Sequence, residues 1–224
     1  MSIYQELKKL QKDPDKSGYV TFYFYRKISI FLSIIFIKLK IHQNLITILS
    51  MLSDFLVIYV MSLQHWILAG ILVNLGAILD RCDGEVARYY KLEEKQGKRE
   101  KTKDIKYGAY LDVVLGIIGF SLIMFFAGYF MGSWQIGVFV MFGFFMVLIS
   151  SLASTVEFPD KKKIARKFEE GLLGKIKGRI GFTSGLQRVL ISLIIIFSSL
   201  WALFAFGILC YAFFILRFWV YRKH

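Results

Sequence analysis

Cysteine and proline are scarce, with two of each in 224 residues. Cys82 and Cys210 both fall in apolar or membrane-entering stretches, where a bridge would close no loop; this excludes a disulfide scaffold and leaves two free thiols. No Pro-rich linker, internal repeat or low-complexity tail divides the chain. The opening segment, MSIYQELKKLQKDPDKSG, lacks the apolar core and small-residue cleavage site of a secretory signal, so no removal is expected. Acids are also few, 16 against 29 lysines and arginines, for a net charge of +13.

Apolar residues are abundant. They make up 56% of the chain, and the mean hydropathy of +0.55 is too high for a single water-soluble core. Several runs reach the roughly 20 residues that a helix needs to cross a hydrocarbon layer of about 30 Å. Lipid then selects helices, because it offers no partner to an open backbone. The fold expected is an all-α polytopic membrane helix bundle.

The distribution of the positive charge decides its meaning. Basic residues gather in Lys8 to Lys40, Arg88 to Lys106, Lys161 to Arg188 and Arg217 to Lys223, each block beside an apolar run. That pattern sets orientation in a membrane and contact with anionic lipid, and it excludes a nucleic-acid face. Residues 1–43 are expected to be a cytoplasmic N-terminus containing an amphipathic interfacial helix over Thr21 to Lys40. Residues 44–224 are expected to form six transmembrane helices with both termini and the active site on the cytoplasmic side. The first four crossings are about Asn44 to Leu63, His65 to Tyr89, Tyr107 to Phe130 and Trp134 to Val156. A polar loop from Lys91 to Lys106 and a basic segment from Pro159 to Gln187, with a short surface helix near Ile164 to Leu173, lie between crossings. The last run, Val189 to Leu216, divides near Ser198 to Ala202, because a single crossing would put Arg217, Arg222 and Lys223 on the wrong side.

Charged side chains inside spanning helices are costly, so each asks for a reason. Four acids qualify: Asp54, Asp80, Asp83 and Asp112. At about 100° per residue, Asp80, Asp83, Gly84 and Ala87 share a helix face with Arg88 at its edge. Stacked carboxylates repel unless a cation lies between them, and a hard divalent ion such as Mg²⁺ takes carboxylate and phosphate oxygens. Gly108, Asp112 and Gly116 recur every four residues on the next helix, a small-residue face that lets two helices close up and brings Asp112 towards Asp80 and Asp83. Helix packing alone would account for the glycines but not for three acids at similar depth.

These residues resemble the signature of the CDP-alcohol phosphotransferase (CDP-alcohol phosphatidyltransferase) family, D-x2-D-G-x2-A-R followed by G-x3-D-x3-D. Here it reads Asp80-x2-Asp83-Gly84-x2-Ala87-Arg88, then Gly108-x3-Asp112-x3-Gly116. HQNLIT, from His42 to Thr47, is similar to the family's entry to its first helix. Two features depart from the pattern: the spacer from Tyr89 to Tyr107 is long, and Gly116 replaces the last aspartate, which in the family shares the metal and acts as base.

The resemblance implies a membrane transferase that moves a substituted phosphate from a CDP-alcohol donor to an alcohol acceptor with release of CMP, in phospholipid or inositol-phosphate-like synthesis. It implies Mg²⁺ or Mn²⁺ held by Asp80, Asp83 and Asp112, the nucleotide near Asn44, Thr47, Gly84, Ala87, Arg88 and Gly108, and a homodimer among membrane lipids. Asp112 is then catalytic, and Asp54 is a candidate for the carboxylate that Gly116 lacks, since it lies about 15 Å along its helix from Asn44, at a depth comparable to that of Asp112. Pairing of Asp54 with Asn74 is the competing reading. Arg166 and Arg188 could hold an anionic acceptor or belong to a solvated, lipid-facing surface. A relative that binds nucleotide or lipid, or supports a partner, without turnover is the alternative function.

Overall fold

The computed structural model describes residues 3–11, 21–97, 105–155 and 184–222. Among them the chain is all-α, with eight helices and no strand. They are α1 (Ile3–Leu10), α2 (Arg26–Lys38, entered through a π-helical turn Thr21–Tyr25), α3 (Gln43–Ser62), α4 (Trp66–Lys95), α5 (Ile105–Phe130), α6 (Trp134–Thr155), α7 (Ser184–Ile196) and α8 (Leu200–Arg222).

Local chemistry sets the boundaries. The His42 side chain accepts the Asn44 backbone N–H at 3.3 Å and so begins α3 one residue before the expected start. Three short turns join α3 to α4, α5 to α6 and α7 to α8, each closed by backbone bonds such as His65 N–H to Val60 O, Ser133 N–H to Gly128 O and Ser199 N–H to Ile194 O. Gly132 takes φ +99° in the second turn, a conformation that suits glycine. The break between α7 and α8 falls where the basic tail required one.

α4 is the axis. It packs against α1, α2, α3 and α7, while α5 bridges α3 to α6, and α6 packs on α8. One hydrophobic core takes residues from all six of the helices α3 to α8, among them Val57, Val73, Ile123, Val140, Ile195 and Leu203. A second core lies under α1 and α2, where Leu7, Tyr25, Ile30 and Ile37 meet Ala77, Cys82 and Val86 of α4. Cys82 and Cys210 are both free and buried. Outer faces remain apolar at Leu52, Ile67, Ile71, Phe142 and Ile208, all exposed. An apolar ring around an apolar core matches a lipid solvent.

Among the described residues one helix, Gln43–Ser62, is long and apolar enough to cross a membrane, and shorter apolar stretches run over Gly116–Phe130, Trp134–Leu148, Gly185–Ile196 and Leu200–Leu216. α4 is the longest helix at 30 residues, but from its midpoint on it carries the charged residues Asp80, Arg81, Asp83, Glu85 and Arg88. Those charges are where the chemistry gathers.

Candidate active site

Asp80 and Asp83 stand side by side, one turn apart on α4. Asp83 is buried and accepts a hydrogen bond from Thr47 Oγ1 at 2.9 Å, which ties it to the first turns of α3. Asp80 is more open. Its Oδ2 lies 3.7 Å from Arg188 Nη2 at the start of α7 and 3.9 Å from its neighbour Arg81. Two carboxylates are thus held from two different helices.

Thr47, Ser50, Met51, Asp54, Asp80, Gly116 and Arg188 line one small cavity. Small residues make it possible. A Cβ on Gly119 of α5 would sit 2.5 Å from Asp54 Oδ2, and one on Gly76 of α4 would sit 3.2 Å from Oδ1, so two glycines cradle the Asp54 carboxylate. Gly116, by contrast, faces open space: a Cβ there would meet nothing within 4 Å. The expected partner of Asp54 is engaged elsewhere. Asn74 accepts from Tyr25 OH at 2.5 Å and donates to Gly70 O and to Ser192 Oγ, which spends both amide protons.

Arg188 is buried, with its guanidinium 5.4 Å over the Phe120 ring, so it belongs to the interior and not to a solvated, lipid-facing surface. Its Nη1, like Nε of Arg81 and Nε of Arg88, has no hydrogen-bond partner among the described residues. Buried guanidinium donors without partners are costly, and an anion in the cavity that Arg188 lines would satisfy its Nη1. Arg81 is fixed by Ala77 O at 2.8 Å, Thr21 Oγ1 at 3.3 Å and the Tyr25 ring at 4.7 Å. Burial pushes the Tyr25 phenol above its usual pKa, against a smaller pull from Arg81 and Arg188, so it stays a neutral donor to Asn74.

The remaining expected residues fall as follows. Gly84 and Ala87 are half-buried on α4, with Arg88 Nη1 3.5 Å from where a Gly84 Cβ would be. Asn44 is exposed at the mouth of α3. Gly108 and Asp112 are on α5, but their side chains lie outside the described residues, as does Arg166. Oxygen donors from Asp80 and Asp83 suit Mg²⁺ or Mn²⁺. Among the described residues no group of three or more His, Cys, Asp or Glu side chains is placed to hold a metal.

Glu85 was not anticipated. It is buried on the far side of α4 and accepts from Gln11 Nε2 at 2.9 Å, Ser29 Oγ at 3.0 Å and Ser33 Oγ at 2.8 Å. The available signal was a pair of serines four apart in the otherwise apolar stretch from Ile28 to Ile37.

The family model for CDP-alcohol phosphatidyltransferase matches residues 40–216. No curated protein matches the chain.

Proposed function

Because the chain belongs to the CDP-alcohol phosphatidyltransferase family, whose members are membrane proteins generally dependent on a divalent metal, we propose that it moves a substituted phosphate from a CDP-alcohol to an alcohol acceptor and releases CMP. The observation that carries this is the α4 turn. Asp80, tied to α7 by Arg188, lines a cavity that Gly116 leaves open, and Asp83, one turn further along α4, is tied to Thr47 of the same lining.

In this reading α3 to α8 are six crossings, with α2 along the cytoplasmic surface, where the basic blocks lie. Asp80, Asp83 and Asp112 hold Mg²⁺ or Mn²⁺, and the cation supplies charge neutralisation at the donor pyrophosphate. Gly84, Ala87 and Gly108 leave room for the nucleotide, with Asn44, Thr47 and Arg88 around it. The acceptor hydroxyl oxygen forms a bond to the β-phosphorus, the bond to the CMP oxygen breaks, and its electron pair leaves with CMP. The hydroxyl proton goes to a carboxylate. Asp54 takes that role, because it shares the cavity with Asp80 and the vacant Gly116 position. Arg188, with its unpartnered Nη1, faces the same cavity and receives an anionic group, together with Arg166, from a phospholipid or polar inositol-phosphate-like acceptor. The protein works as a homodimer among membrane lipids.

One observation favours a second reading, a binder without turnover: Gly116 offers no carboxylate at a position where a side chain would fit. Purified protein supplied with a CDP-alcohol, an alcohol acceptor and Mg²⁺ or Mn²⁺ decides between them. Donor-dependent CMP release that disappears with EDTA and in Asp83→Asn supports the transferase. A silent wild type that gains CMP release on Gly116→Asp would establish the binder.

A further inference from the structure

The family match begins at residue 40, so α1, α2 and the turn before α2 lie ahead of it. They are nonetheless docked on the α4 turn that carries the two aspartates. Glu85 is the attachment: its Oε1 takes Gln11 and Ser29, its Oε2 takes Ser33, and all three donors come from this leading segment. A buried carboxylate accepts four or so hydrogen bonds, and three of them are met here by neutral donors in fixed geometry. The Cys82 thiol, fully buried beneath α2, adds a contact to Ser29 O at 3.5 Å.

The spacing along α4 gives the network a consequence for the site. Glu85 follows Asp83 by two residues, about 200° around the helix, so the two carboxylates leave α4 on opposed sides. Thr47 holds one side to α3; Ser29 and Ser33 hold the other to α2. Gripped from both sides, this turn is fixed in rotation, and rotation decides how Asp80, in the cavity wall, and Asp83, on Thr47, are presented together.

We infer that Glu85 is a positioning residue, through which the segment ahead of the family domain holds the Asp80–Asp83 turn in its metal-binding rotation. This rests on the reading of Asp80 and Asp83 as cation ligands. Partners one step removed from a metal commonly change its affinity by about 10–100-fold when lost.

The test uses full-length protein in detergent and two readouts that need no turnover. Mn²⁺ affinity is measured from the spin-resonance signal of the free ion. Maleimide labelling of Cys82 reports undocking of α2, with Cys210, buried in the other core, as internal control. Glu85→Ala and the milder Ser29→Ala/Ser33→Ala pair should weaken Mn²⁺ by about 10–100-fold and expose Cys82 while Cys210 stays protected, and Ser33→Thr, which keeps the hydroxyl, should retain affinity. If Glu85→Ala fails to fold, the serine pair and Gln11→Ala decide. Folded variants with wild-type Mn²⁺ affinity overturn the positioning role, whether or not Cys82 becomes reactive. A wild type that binds no Mn²⁺ instead sinks the ligand reading of Asp80 and Asp83, and the positioning role falls with it.

Discussion

Asp54 sits in a cradle that only glycine can build. At Gly119 an added methyl would lie 2.5 Å from Oδ2 and about as close as 3.3 Å to the rest of the carboxyl group, so the side chain would have to turn out of its place. If Asp54 takes the acceptor proton, Asp54→Asn lowers kcat by the factor that base catalysis typically supplies, about 10²–10⁴, while Mn²⁺ and donor binding hold. Gly119→Ala should fall between wild type and Asp54→Asn, since it moves the carboxylate without removing it. Steady-state CMP release with the three proteins measures this. Turnover of Asp54→Asn at the wild-type rate removes Asp54 from the chemistry. Gly116 gives the contrasting case, because its missing Cβ would meet nothing. Gly116→Ala should leave the fold near wild type.

At the scale of helices, α5 and α6 approach backbone to backbone. A Cβ on Gly128 would lie 2.4 Å from the Gly137 Cα, and one on Gly137 would lie 2.4 Å from Phe125 O. Both obstacles are backbone, so no rotamer change relieves them, and the helices must part. Gly128→Ala should therefore destabilise by about 1–3 kcal/mol, the usual cost of overpacking, read as a lower midpoint of thermal unfolding in detergent. Gly116→Ala on the same helix is the control. The helix pairs themselves were legible in the sequence: the turns at MGSW and near Ser198 to Ala202 interrupt long apolar runs, and the structure breaks there. What was not legible is tertiary. α1 is a short polar helix by composition, and only its docking on α4 buries Leu7 and brings Gln11 to Glu85, 74 residues away. Likewise, Arg188 reads as one more basic residue until α7 turns it inward onto Asp80 and Phe120. The signature from Asp80 to Arg88 was visible because its spacing is the helix repeat; Glu85 was hidden within it because it points the other way.

Across the whole molecule the polar and apolar ends are sorted. The cavity takes residues from Thr47 to Asp54 of α3, from the middle of α4, from the first half of α5 and from the start of α7, all of them well away from the three short turns. The three short turns, 63–65, 131–133 and 197–199, lie at the other end and contain no lysine, arginine or acid. Lys38, Lys40, Lys91, Lys95 and Lys106 flank the cavity end, which is the arrangement the proposed cytoplasmic site requires. The proposed six crossings make a strict demand on accessibility. Single cysteines at Gln64, Ser133 and Ser199 should all react with an impermeant maleimide from the outside of intact cells, and those at Lys38 and Lys95 only after permeabilisation. Native Cys82 and Cys210 are fully buried and contribute little background. Labelling of Ser133 and Ser199 from opposite sides would leave an odd number of crossings between them. The cavity residues of α3, α5 and α7 could then no longer share one leaflet, and the active site built from them would come apart.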